Sequence, residues 1–239
     1  MQGSELLALA KACKYSFIPN ELGYCGAKPF SEIFTSFITE PQAEKAMEIK
    51  NALQTFTSEH AYIELIAKHH SLPVFDERPI TAYWLGSELL EGISGKEIEI
   101  LINEKFRSLP ESVRLKKISG LPGEAFPQHS FHVLYIEFIT TKLPAIVSNL
   151  DKCLVGWGKV TAEKNGRFEV KGIRLFKEAG ELKLGEKTKT IENPFNLCLK
   201  KGSLVSVHWN NAIEEITEKQ LKCLKKYTMK NLELVNSVR

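Results

Sequence analysis

The chain has 239 residues, 43% of them hydrophobic and 26% charged, proportions that exclude a disordered or fibrous protein. Its 32 basic residues against 29 acidic ones leave a net charge of +3, too near balance for a nucleic-acid footprint, so nucleic acid is not expected as a partner. No run approaches the roughly 18 apolar residues of a membrane span, and Met1-Gln2-Gly3-Ser4-Glu5 lacks the basic flank of a signal peptide, so a cytoplasmic protein without membrane contact is expected. The five cysteines (Cys13, Cys25, Cys153, Cys198, Cys223) are odd in number and form no CxxC pair. That pattern argues against a zinc ribbon or a disulfide framework and predicts reduced thiols.

In chain order, apolar residues first recur at helical spacing, as in Leu6, Leu9, Cys13 and Phe17, then Ile33, Phe34, Phe37 and Ile38. Breaks at Pro19-Asn20, Pro29, Pro41, Leu72 to Pro79 and Gly92 to Gly95 divide this part into about six short helices. Between Ser108 and Gln128 the Leu-Pro, Ser-Gly and Phe-Pro steps predict a connector. His129 to Thr141, rich in Phe, Val, Tyr and Ile, predicts a buried strand.

Short β-like runs follow, at Leu154 to Val160, Arg167 to Val170, Lys187 to Ile191 and Ser203 to Trp209. Lys164-Asn165-Gly166 is a hairpin signal. Several short strands at this spacing predict a small closed barrel, which hides its own edges. Thr217-Glu218-Lys219-Gln220 fits a capping box at the start of a final helix, with Leu221, Leu224, Thr228 and Leu232 on one side. The chain therefore reads as α+β: an all-α helical domain over 1–120, a connector and strand over 121–152, and a barrel with a C-terminal helix over 153–239.

Three sets of residues could carry chemistry in the first two parts. Cys25 lies between glycines just before a new helix, where the macrodipole favours a thiolate, and is a candidate nucleophile or ligand. His129 and His132, three apart on a strand, would face opposite sides and not share a metal, a conclusion that a helical start reverses. His132 is also a candidate base for Cys25. His69-His70 reads as a helix cap, and Tyr83-Trp84 as packing between helices.

Cys153-Leu154-Val155-Gly156-Trp157-Gly158-Lys159-Val160 is similar to the opening of the HypC family of [NiFe]-hydrogenase maturation chaperones, in which Cys-Leu is followed by a short stretch closing in Gly-Lys-Val. Lys201 to Thr217, with its Val207-His208 and Ala212-Ile213 steps, resembles the family's closing segment. The resemblance covers about 153–224 and implies an OB-like β-barrel with a C-terminal helix. It also implies that Cys153 and His208 hold an iron bearing cyanide and carbon monoxide, delivered with a HypD-like scaffold to the hydrogenase large-subunit precursor. A thiolate and an imidazole suit low-spin iron, and Lys152 or Lys159 could lower the thiol pKa. Two departures stand out: Cys153 is internal, without the free α-amino group of the family's Cys, and Trp157 replaces the usual Pro. The Pro19 to Gly26 loop, the Tyr83-Trp84 stretch and His129 to Val133 further resemble an uncharacterised prokaryotic family spanning the chain.

The leading expectation is thus a metallochaperone or accessory protein rather than a turnover enzyme, with Cys153 and His208 as metal ligands and His129, Lys159, Trp157 and Trp209 in secondary roles. The alternatives are a thiol enzyme using Cys25 and His132 on a small substrate at the domain interface, and an oligonucleotide-binding barrel that stacks bases on Trp157, Phe168 and Trp209.

Overall fold

The computed structural model describes residues 3–121, 123–137 and 143–238. Among these, seven α-helices fill the first half: α1 (Gly3–Glu21), α2 (Ser31–Thr39), α3 (Ala46–Gln54), α4 (Thr57–His69), α5 (Glu77–Leu85), α6 (Gly95–Lys105) and α7 (Glu111–Ser119). Helix α7 lies inside the expected connector. Pro110 and Gly120 frame it, but it buries no residue, so the apolar stripe that betrays a packed helix is missing from its sequence.

The expected strand at His129 is instead helical: α8 (His129–Phe131) continues into a π-helical turn (His132–Ile136) that ends at Glu137 with φ 57°. Every residue from His129 to Ile136 is buried, and a segment covered on all sides has no periodicity to read, so its Phe, Val, Tyr and Ile reported burial rather than backbone. Residues 138–141 of that expected strand lie outside the described residues. Helix α9 (Val147–Cys153) then leads into the sheet.

Five antiparallel strands, β1 (Gly156–Lys164), β2 (Arg167–Glu178), β3 (Glu181–Ile191), β4 (Leu204–His208) and β5 (Asn211–Glu215), pair in the order β3-β2-β1-β4-β5. The β1–β2 hairpin turns at Asn165 and Gly166, with φ 54° and 73°, as the Asn-Gly signal predicts. The sheet is open, which corrects the expected closed OB-like barrel. Its edge strands meet at one parallel bridge, Glu192 to Asn211, where Glu192 N–H donates to the Asn210 carbonyl (3.0 Å) and Ala212 N–H to that of Glu192 (2.9 Å). Strand β5 has five residues against 11 in β3, and β3 ends at Ile191, just before the bridge, so the edge pairing goes no further.

Helix α10 (Glu218–Ser237) starts with the expected capping box, Thr217 with Gln220, and buries Leu221, Leu224, Thr228 and Leu232. It is pinned by Asn231, which donates to Ser130 Oγ (2.9 Å) and to the Phe126 carbonyl (3.1 Å). One hydrophobic cluster includes residues of the helical part, such as Leu9, Phe34 and Tyr83, together with Cys153, Trp209, Ile213 and Leu224. Helices and sheet therefore share a core, and the candidate site lies where they meet. Among the described residues no helix is long and apolar enough to cross a membrane.

Candidate metal centre

His208 is the last residue of β4. The chain then turns through Trp209 and Asn210, at φ 52° and 60°, a left-handed pair typical of a tight hairpin but costly for a bulky indole. That turn aims Trp209 N–H at the Lys152 carbonyl (2.8 Å), tying the end of β4 to the last turn of α9. The next carbonyl, that of Cys153, accepts from His129 Nε2 (2.8 Å) at the start of α8. Two adjacent carbonyls thus gather three side chains that are far apart in sequence.

The result is a buried cluster of His129, Cys153 and His208, one donor atom from each, all within 4.8 Å of one another. Cys153 Sγ lies 3.9 Å from His129 Nε2. Metal–ligand bonds of about 2.0–2.3 Å put tetrahedral donors on the order of 3.5 Å apart, so an ion needs the three to close by up to about 1.3 Å.

Protonation follows from the hydrogen bonds. His208 Nδ1 is 2.9 Å from the Tyr15 carbonyl, which can only accept, so Nδ1 carries the proton and Nε2 presents a lone pair. That Nε2 is buried and makes no hydrogen bond of ordinary geometry among the described residues, though the Cys153 backbone is near enough to favour the protonated ring weakly. Burial lowers the His208 pKa to about 4. Burial and the neighbouring His208 hold His129 well below the ordinary imidazole value. Both rings are neutral near pH 7, the state in which imidazole binds metal. By the same reasoning His129 Nε2, which donates to the Cys153 carbonyl (2.8 Å), carries the proton and Nδ1 accepts from Tyr83 Oη (3.0 Å), so His129 ligates an ion only by exchanging one of these two bonds for it.

The cluster forms part of the wall of a cavity of about 310 Å3 that Cys25, His132 and Glu59 also line. Residues 4–239 match the model of a family of unknown function, DUF6390. The chain belongs to that family. No match was found among curated proteins or among solved structures.

Cys153 and His208, expected to act together, do face one another, and His129 joins them. His129 and His132 share the cavity wall because the segment is helical; the opposite-face expectation required a strand. Two electrostatic expectations are corrected. Cys153 closes α9 instead of opening a strand, and burial raises its thiol well above the usual value. Lys152 and Lys159 are exposed and offset none of that. Cys25 is half-buried and stands well before α2, which begins at Ser31. Burial and the Glu59 carboxylate push its thiol up to about 12, the reverse of what a nucleophile needs.

Trp157, Phe168 and Trp209 are buried and offer no face to a base, which removes the stacking surface of the oligonucleotide-binding alternative. His69 and His70 stand at the end of α4, but their side chains tie it to other elements, His69 to Glu97 of α6 (2.8 Å) and His70 to the Leu89 carbonyl (2.8 Å), rather than capping its carbonyls.

Sequence reasoning missed Glu59, Tyr15 and Tyr83. An acid in the first turn of α4 reads as a complement to the helix dipole, yet Glu59 is fully enclosed and its carboxyl is raised by burial to about 8. Ser16 Oγ lies 2.6 Å from Glu59 Oε2 and 2.9 Å from the Ala12 carbonyl. One hydroxyl proton cannot serve both acceptors, so a neutral Glu59 supplying its own proton completes the chain. Tyr83 was read as packing, and only its 3.0 Å approach to His129 reveals more.

Proposed function

We propose that this protein binds a metal ion through His129, Cys153 and His208 and serves as an accessory protein that holds or passes on a metal fragment during metallocentre assembly. The observation that carries the reading is the unpartnered Nε2 of His208, buried and converging with an imidazole and a thiol on a cavity. A buried polar atom without a partner costs about 1–3 kcal/mol. A bound ion removes that cost. Two nitrogen donors and one sulfur suit zinc or the later first-row metals, iron included, rather than magnesium or calcium.

The narrower reading takes the cargo to be an iron fragment with cyanide and carbonyl ligands, the client a [NiFe]-hydrogenase large-subunit precursor, and the partner a HypD-like scaffold. What supports it is that the Cys and the His matching the HypC family's two anchors, 55 positions apart in this chain (208 − 153), meet at one site. The cavity also has room beyond the ion, since about 310 Å3 compares with roughly 30 Å3 for one water.

The test is co-expression with a HypD-like scaffold, followed by metal analysis and infrared spectroscopy of the purified protein. Iron with cyanide and carbonyl stretches, lost in Cys153→Ala and His208→Ala, is the expected result. Another metal held by the same residues would keep the metal site and remove the hydrogenase reading. No metal in any preparation, and none taken up on addition, would remove both.

A further inference from the structure

The cavity holds a second thiol that the three-residue cluster leaves unused. We propose that Cys25, carried by the loop after α1, is a fourth ligand that completes the site as two thiolates and two imidazoles. The inference rests on the metal reading above and decides whether the site is open, with a solvent position, or closed by protein alone.

Four observations converge on it. Cys25 lines the same cavity as His129, Cys153 and His208. Its neighbour Tyr24 packs its ring 5.1 Å from that of Trp209, the residue after His208, so the loop is fastened to the strand end that presents a ligand. The Cys25 main chain is held on both sides, its N–H by the Pro19 carbonyl (3.2 Å) and its carbonyl by Asn20 Nδ2 (2.8 Å). Cys25 Sγ is not among the donor atoms that converge within 4.8 Å, so to join them the sulfur has to swing about χ1. Gly26 maintains the turn: at φ 83° a Cβ there would sit 2.7 Å from Asn20 Nδ2. A divalent cation between the two sulfurs would stabilise both as thiolates, with each thiol proton released to solvent.

A cysteine alone would not identify a ligand site. The independent sign here is the orphaned Nε2 of His208, whose cavity Cys25 shares. With three ligands on α8, α9 and β4 and the fourth on a surface loop, the site gains a route for release, because withdrawing one loop side chain reopens it while the other ligands keep their positions.

Cobalt titration of the metal-free, full-length protein tests this. Wild type is expected to bind one Co2+ with visible bands of tetrahedral intensity and a near-ultraviolet thiolate-to-cobalt band. Cys25→Ser should keep roughly half of that near-ultraviolet band and bind at least about tenfold more weakly, since loss of even an outer-shell partner costs that much. In parallel, one equivalent of Zn2+ should protect both Cys25 and Cys153 of the wild type from alkylation, read by mass spectrometry, while exposed Cys198 reacts throughout. This arm needs no variant to fold. A Cys25→Ser titration indistinguishable from wild type, or zinc protection of Cys153 without Cys25, overturns the fourth ligand and leaves the three-residue site standing. A wild type that binds no Co2+ overturns the metal reading and this inference together.

Discussion

Replacing His208 by Asn should make the protein markedly less sensitive to acid. Asn places an amide N–H close to the position of Nδ1, so the bond to the Tyr15 carbonyl, 2.9 Å in the native chain, can be kept while the titrating ring is removed. In the folded protein His208 is held neutral, its pKa lowered from 6.5 to about 4 by burial. A depressed imidazole pKa means that the unfolded chain binds the proton first. The stabilising contribution is complete above pH 6.5 and is lost as pH falls toward 4. For a single group with these values, the loss between pH 7.5 and pH 5 is about 2 kcal/mol, rising to about 3 kcal/mol at pH 4. Urea denaturation at pH 7.5 and pH 5 measures it, because carboxylates and His129 are present in both proteins and largely cancel in the comparison. Wild type should lose about 2 kcal/mol more than His208→Asn over this interval. Equal losses would show that the ring is already charged or solvated in the folded state, and the argument for a neutral, metal-ready imidazole would fall with it.

Glu59→Gln should stabilise the protein increasingly with pH. The Glu59 pKa is raised from 4.5 to about 8, so folding loses stability as pH rises between those values, by up to about 4 kcal/mol at pH 8, and denaturation midpoints at pH 5 and pH 8 will show whether the gain grows. Gly86→Ala should destabilise by about 3 kcal/mol, combining left-handed strain with overpacking. Gly86 sits at φ 82° and a Cβ there would lie 2.6 Å from Tyr227 Cδ2; a thermal melt within 1 °C of wild type would contradict the close approach of α5 and α10. Zn2+ at about 100 times its dissociation constant should add about 2.7 kcal/mol to the stability of wild type, roughly 5–10 °C in Tm, and add nothing to Cys153→Ala.

The sequence by itself determined the local features whose cause lies within a few residues. Asn165-Gly166 adopts the positive φ values of its turn, Thr217 and Gln220 cap the last helix, and helical spacing in the first half produces helices, because each depends on backbone preferences that distant residues seldom override. It also marked Cys153 with His208 as one pair and Cys25 with His132 as another, and weighed His129 with His132 as a metal pair, without bringing all five to one place. Tertiary structure alone decided three things. It made His129 to Ile136 helical, since a segment buried on every side carries no period. It left the sheet open, because β3 ends at Ile191 and its meeting with the short β5 stops at the single bridge of Glu192 and Asn211. And it joined those residues around one cavity, through hydrogen bonds from Trp209 N–H to the Lys152 carbonyl and from His129 to the Cys153 carbonyl. The same enclosure set the protonation states: burial neutralised the imidazoles and raised the thiols, effects of desolvation that no spacing of residues along a chain records.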